Sequence, residues 1–90
     1  MSEIRIDPGR IWTKTDHGVA ELLYEIENNI MSIYHTSTPP EDRGRGIAKE
    51  LTEKAFAFAK EHGFKIRPDC SYAKFFVENN SEYASYIVSE

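Results

Sequence analysis

Two short stretches carry residue types and spacings suited to chemistry. The first, at positions 39–49, reads PPEDRGRGIAK: two prolines, two acids, arginine alternating with glycine, then an abrupt switch to helix formers. Glycine lowers helix propensity, so Gly44 and Gly46 at the mouth of a helix imply a turn that needs backbone freedom or a partner that approaches the backbone closely. The first turn of a helix exposes unpaired N–H groups and the positive end of its dipole, which suits a phosphate or pyrophosphate. Arg43, Arg45 and Lys49 add positive side chains there, in a chain that is acidic overall. No Gly-Lys-Ser/Thr makes it a P-loop, and no third glycine completes a dinucleotide fingerprint. The plainer alternative is a glycine-containing turn with solvated arginines.

The second stretch, FKIRPDCSY at 64–72, contains the chain's one cysteine, Cys70. It stands at the end of a strand, before a helix expected to begin near Ser71. A thiol at a helix N-terminus is favoured as its thiolate and gains nucleophilicity. The other reading is a small buried cysteine, a common fate for a lone one. A single cysteine excludes an intramolecular disulfide and fits a reducing compartment. Tyr72 is close enough in sequence to be a reserve proton donor. His35 alternates with Met31 and Ile33, so it reads equally as a base or as a sheet histidine. His17 and His62 read as solvated. One cysteine and three scattered histidines have no metal-ligand spacing, so no metal is expected.

The elements that must hold these residues are legible from patterning. Ninety residues, 40% of them hydrophobic, suit one domain spanning 1–90. Eleven bases against 15 acids, net charge −4, argue against nucleic-acid binding. The opening MSEIRIDPGR has no apolar run, so neither a membrane span nor a leader is expected, and the reading is a cytoplasmic protein. Strands are expected at 3–7, 11–15, 19–27 and 30–36, with Asp16-His17-Gly18 and Asn28-Asn29 as turns. In the third strand Leu22, Tyr24 and Ile26 share a face; in the fourth, Met31, Ile33 and His35 oppose Ser32, Tyr34 and Thr36. Ile47, Leu51, Ala55 and Phe58 then recur at helical spacing up to Gly63. A short strand cut by Pro68 follows, and the tail reads as two short helices broken at Asn79-Asn80, Ser81 capping the second. The fold class is α+β: an antiparallel meander, a central amphipathic helix, a further strand and C-terminal helices.

Arg43-x-x-Gly46-x-Ala48 resembles the Q/R-x-x-G-x-G/A signature of the GNAT superfamily, the acetyl-CoA-dependent N-acetyltransferases. More narrowly, HTSTPPEDRGRGIAKEL and IRPDCSY resemble a subgroup of very small single-domain members with a cysteine after the last core strand. The likeness spans about residues 10 to 88. It implies that Arg43, Gly44, Arg45, Gly46, Ile47, Ala48 and Lys49 hold the CoA pyrophosphate. It also implies that the strand around 33–36 splays from the one around 65–69, with the pantetheine arm in the gap beside Tyr34 and Thr36. A backbone N–H near Tyr34 or His35 would polarise the acetyl carbonyl, and His35, on the neighbouring strand, would serve Cys70 as its base. Cys70 would then take the acetyl group or protonate the CoA thiolate.

The chain departs from the superfamily pattern twice. Only the Asp16-His17-Gly18 turn stands where larger members have helices walling the acceptor site. Aligning Ala73 with the alanine of N-x-x-A-x-x-L/F-Y puts Cys70 at the asparagine and Val77 where the acidic tyrosine belongs. The implied function is acetyl transfer from acetyl-CoA to an amine on a protein, peptide or small molecule. The alternatives are a non-catalytic CoA or acyl-CoA-binding module, and an interaction protein whose turn contacts another anion.

Overall fold

The structure, a computed structural model, describes residues 3–88. Its strands are β1 (Arg5–Asp7), β2 (Arg10–Thr15), β3 (Gly18–Glu27), β4 (Ile30–Ser37) and β5 (Lys65–Pro68), and its helices α1 (Ile47–His62) and α2 (Ser71–Glu78). The strands form one sheet in the order β1-β2-β3-β4-β5. The first four pair antiparallel, and β5 returns parallel to β4 through the α1 crossover. The α+β class therefore stands, as a mixed five-stranded sheet.

Local chemistry explains the connections. Asn28 and Asn29 take φ 54° and 63°, the left-handed pair that a two-residue hairpin between right-twisted strands requires. α1 stops at Gly63, whose N–H bonds the carbonyls of Ala59 and Lys60. Between β4 and α1, Pro40–Asp42 forms a single 3-10 turn.

One face of the sheet is the core face. Ile11, Leu22, Tyr24, Met31, Ile33 and Ile66 are buried there against Leu51, Ala55, Phe56 and Ala59 of α1 and Ala73 and Phe76 of α2. Phe56 locks the two helices and the tail together, its ring centroid 5.6 Å from Phe76 and 4.7 Å from Tyr83. The opposite face carries half-buried side chains such as Trp12, with Arg10 stacked over its ring at 4.7 Å.

Three details differ from the patterning. The second tail helix is a 3-10 segment, Ser81–Tyr86, capped from Asn80 rather than Ser81, and Asn80 Nδ2 donates back to the Phe76 carbonyl at 2.8 Å. The first strand begins at Arg5 rather than at residue 3. The third difference matters most. Leu23 pairs with His35 and Tyr24 with Ile33, so Tyr34 is an extra residue on β4. This β-bulge breaks the alternation. Directly opposed residues share a face, so Thr36, paired with Leu22, joins the core side, and His35, paired with Leu23, leaves the face of Met31 and Ile33. His35 does not continue the stripe that strict alternation assigns to it.

The β4–β5 ladder is short. It runs from Ile30 opposite Lys65 to Ile33 opposite Pro68 and ends there. The Asp69 and Cys70 amides both turn in to the Ile33 carbonyl, at 2.9 and 3.1 Å. Residues 34–37 of β4 thus run on beyond the last pairing with β5.

Candidate functional site

The site is built from the turn that follows β4. Gly44 and Gly46 take φ 84° and 80°, a left-handed conformation that a side chain would strain. A Cβ at either position would meet no atom within 4 Å, so the glycines serve conformation and leave the space before the helix open. The first intrahelical bond runs from the Glu50 amide to the Gly46 carbonyl, at 3.0 Å. The amides of Ile47, Ala48 and Lys49 precede it, and no side chain caps them. Three N–H groups at the positive end of a sixteen-residue helix therefore face outward.

They open onto a groove of about 620 Å³. One wall is His35, Thr36 and Ser37 of β4 with Thr38 just beyond it, the other is Arg43, Gly44, Gly46 and the start of α1, and Tyr72 of α2 also lines it. Burial pushes the Tyr72 hydroxyl up from its ordinary value, and the charge of Glu53 adds to it, so it is a proton-bearing group at neutral pH. The shape and donor set fit a ligand with a pyrophosphate at one end and an amide-bearing arm: amides and cations at the helix, and an unpaired strand edge leading away.

Of the residues singled out in the sequence, His35, Thr36, Arg43, Gly44, Gly46, Ile47, Ala48 and Lys49 come together on this groove. Arg45 and Tyr34 do not. Arg45 turns to the other side of the loop, its guanidinium 2.9 Å from Asp16 and 3.4 Å from Asp42, beside a separate cleft with Lys14 and Thr15. The Tyr34 side chain, 47% exposed, stands outside the groove wall.

Cys70 is the N-cap of α2, half-buried, its sulfur accepting from the Ala73 amide at 3.4 Å. Its side-chain partner is Thr36, whose Oγ1 lies 3.4 Å from Sγ, and not His35. The bulge at Tyr34 is the reason, because it turns Thr36 to the core side and His35 away. Thr36 lines the groove and Cys70 stands directly behind it. Val77, which the resemblance sets where the superfamily tyrosine belongs, packs against the core.

The residue that sequence reasoning missed is Asp42. Its carboxylate is fully buried at the end of the 3-10 turn. It accepts from the His17 amide at 3.2 Å and meets His17 Nδ1 at 3.0 Å. The His17 ring bond holds the Asp42 carboxyl below its ordinary value against the upward push of burial. No local signal distinguishes Asp42 from exposed Glu41, since the burying partner lies 25 residues upstream. His17, read as solvated, is half-exposed but tied to this carboxylate. Among the described residues no group of three or more His, Cys, Asp or Glu could hold a metal ion.

Comparison with known proteins agrees with this geometry. Protein NATD1 from Bos taurus and from Homo sapiens are each 40% identical to the chain over 65 residues, 71% of this chain and 58% of theirs. Protein NATD1 from Gallus gallus is also 40% identical over 65 residues, 59% of its own length. The chain thus spans less than two thirds of these relatives. The solution structure of a GCN5-like protein from Staphylococcus aureus, named as a candidate N-acetyltransferase, superposes with a TM-score of 0.74 at 28% identity, covering 98% of this chain and 89% of that one. Residues 10–86 match the family described as GCN5-related N-acetyl-transferase. A match over that much of the chain, together with the glycine-arginine turn and the β4 edge that runs on beyond β5, makes this protein a member of the GCN5-related N-acetyltransferase family.

Proposed function

We propose that the protein is an acetyl-CoA-dependent N-acetyltransferase whose acceptor is an amine on a protein, peptide or small molecule. The observation that carries the proposal is the uncapped N-terminus of α1, behind Gly46, opening on a groove that follows the unpaired edge of β4. Acetyl-CoA as substrate supplies a thioester whose acyl carbon an amine can attack. The amides of Ile47, Ala48 and Lys49, with the Arg43 and Lys49 side chains, bind the pyrophosphate. The free groups of residues 34–37 pair with the pantetheine arm and polarise the acetyl carbonyl. His35, at the groove wall, removes a proton from the incoming ammonium or amine.

Cys70 enters in one of two balanced ways. Its sulfur attacks the acetyl carbonyl, a Cys–acetyl bond forms as the CoA thioester breaks, the cysteine proton passes to the departing thiolate, and the amine then takes the acetyl from Cys70. Alternatively the amine attacks directly, and Cys70 gives its proton to the thiolate and recovers one from solvent. A cytoplasmic setting, which keeps the lone thiol reduced, belongs to the same proposal.

One observation favours a second reading, a CoA or acyl-CoA-binding module without efficient transfer: Val77, which the resemblance sets where the superfamily tyrosine belongs, is apolar and packed on the core. Intact-protein mass spectrometry after mixing with acetyl-CoA, with free thiol release followed across a panel of amines, separates them. An acetyl adduct absent from Cys70→Ala, with amine-dependent thiol release, supports covalent transfer. Thiol release without an adduct supports direct transfer. Binding with neither supports the module.

A further inference from the structure

Among the described residues, three polar ones are fully or nearly fully buried: Thr13, Asp42 and Thr52. The two threonines have local or edge explanations. Thr52 donates to the Ala48 carbonyl one helical turn back, and Thr13 donates to the Glu3 carbonyl beside β1. Asp42 has no such explanation. A buried carboxylate is costly unless hydrogen-bonded, and its bonds tie the β2–β3 turn to the glycine-arginine turn, 25 residues away in sequence. On one side is His17, in the β2–β3 turn, through both its amide and its ring. On the other is Arg45, three residues on, in the glycine-arginine turn. Arg45 is also held by Asp16, so both acids pull it to the side away from the groove.

We infer that Asp42 is a positioning residue for the phosphate-binding turn: clamped to His17, it fixes the backbone of residues 43–46 and draws Arg45 out of the groove, leaving Arg43 and Lys49 as the cations that face it. The inference rests on the reading of the groove as the CoA site. Two glycines give residues 43–46 a freedom that would scatter the α1 amides over many orientations, and a clamp reaching across 25 residues removes it. The short β2–β3 turn thereby acquires a task at the donor site, through a carboxylate that lies against both the groove and the cleft behind it.

The test compares two donors in the same protein: acetyl-CoA, and S-acetylpantetheine, which has the arm and the thioester but no pyrophosphate. His17 is outside the groove wall, so His17→Ala removes the ring contact without touching a ligand. It should weaken acetyl-CoA binding about tenfold, the loss expected for one charge-assisted hydrogen bond. S-acetylpantetheine binding should change less than about twofold, and His17→Asn, whose side-chain amide can donate to Asp42, should restore acetyl-CoA affinity. Asp42→Asn should show the same selectivity where it folds. Equal losses for both donors would make the clamp a general stabiliser and overturn the inference, as would an unchanged acetyl-CoA affinity in His17→Ala. If the unaltered protein itself does not prefer acetyl-CoA to S-acetylpantetheine, the CoA-site reading fails first, before any variant is made, and the inference falls with it.

Discussion

Thr36 Oγ1 lies 3.4 Å from Cys70 Sγ, just beyond the end of the β4–β5 ladder. The contact joins a groove residue to the only thiol in the chain, and it exists because the Tyr34 bulge turns Thr36 inward. It also fixes a test. Thr36→Val keeps the shape and removes the hydroxyl, and Thr36→Ser keeps the hydroxyl. Acetylation of Cys70, followed by intact mass, should slow about tenfold in the valine variant and recover in the serine one. Equal rates in all three proteins would mean that the hydroxyl has no part in the chemistry.

Gly46 sets the entry to α1. Gly46→Ala places a Cβ at φ 80° and should lower stability by about 1 kcal/mol with α1 intact. Gly46→Glu adds bulk and negative charge in front of the three helix amides and should abolish CoA binding in a protein whose circular dichroism is unchanged. Normal CoA affinity in folded Gly46→Glu would move the phosphate site elsewhere.

Acid stability reports on Asp42. Its carboxyl titrates lower in the folded chain than its ordinary 3.8, so the folded state binds fewer protons there than the unfolded state. The stabilisation it supplies is complete above about pH 4 and is lost as the pH falls through 3.8 towards the folded value. Thermal melts between neutral and acidic pH should therefore fall more steeply for the unaltered protein than for Asp42→Asn. Parallel melts would show that the Asp42 carboxylate carries no acid sensitivity.

The core has a keystone in Phe56, wedged between Phe76 and Tyr83. Phe56→Ala should cost about 3–5 kcal/mol, a large share of what a domain of this size possesses. Urea unfolding checks it. A loss below about 1 kcal/mol would mean that the helices are held to each other by other contacts.

What was legible in the sequence was what is local. The Asn28-Asn29 hairpin follows from two residues tolerant of positive φ, the length of α1 from its apolar spacing and Gly63, and the openness of its N-terminus from Gly44 and Gly46. What was not legible depends on distant partners. Alternation cannot announce the extra residue at Tyr34, so the sequence pairs Cys70 with His35 where the fold pairs it with Thr36. Arg43, Arg45 and Lys49 look alike as cations beside a glycine turn, yet Asp16 and Asp42 take Arg45 to the far side. Asp42 itself is buried by a turn 25 residues away, which no window of local sequence contains.

The central claim is that the N-terminus of α1 is a CoA site, and calorimetric titration of the folded protein with CoA tests it most directly. Saturable one-to-one binding that weakens with salt and disappears in Gly46→Glu is the expected result. Absence of binding in the unaltered protein would contradict it and leave the glycine-arginine turn as a connection between a strand and a helix.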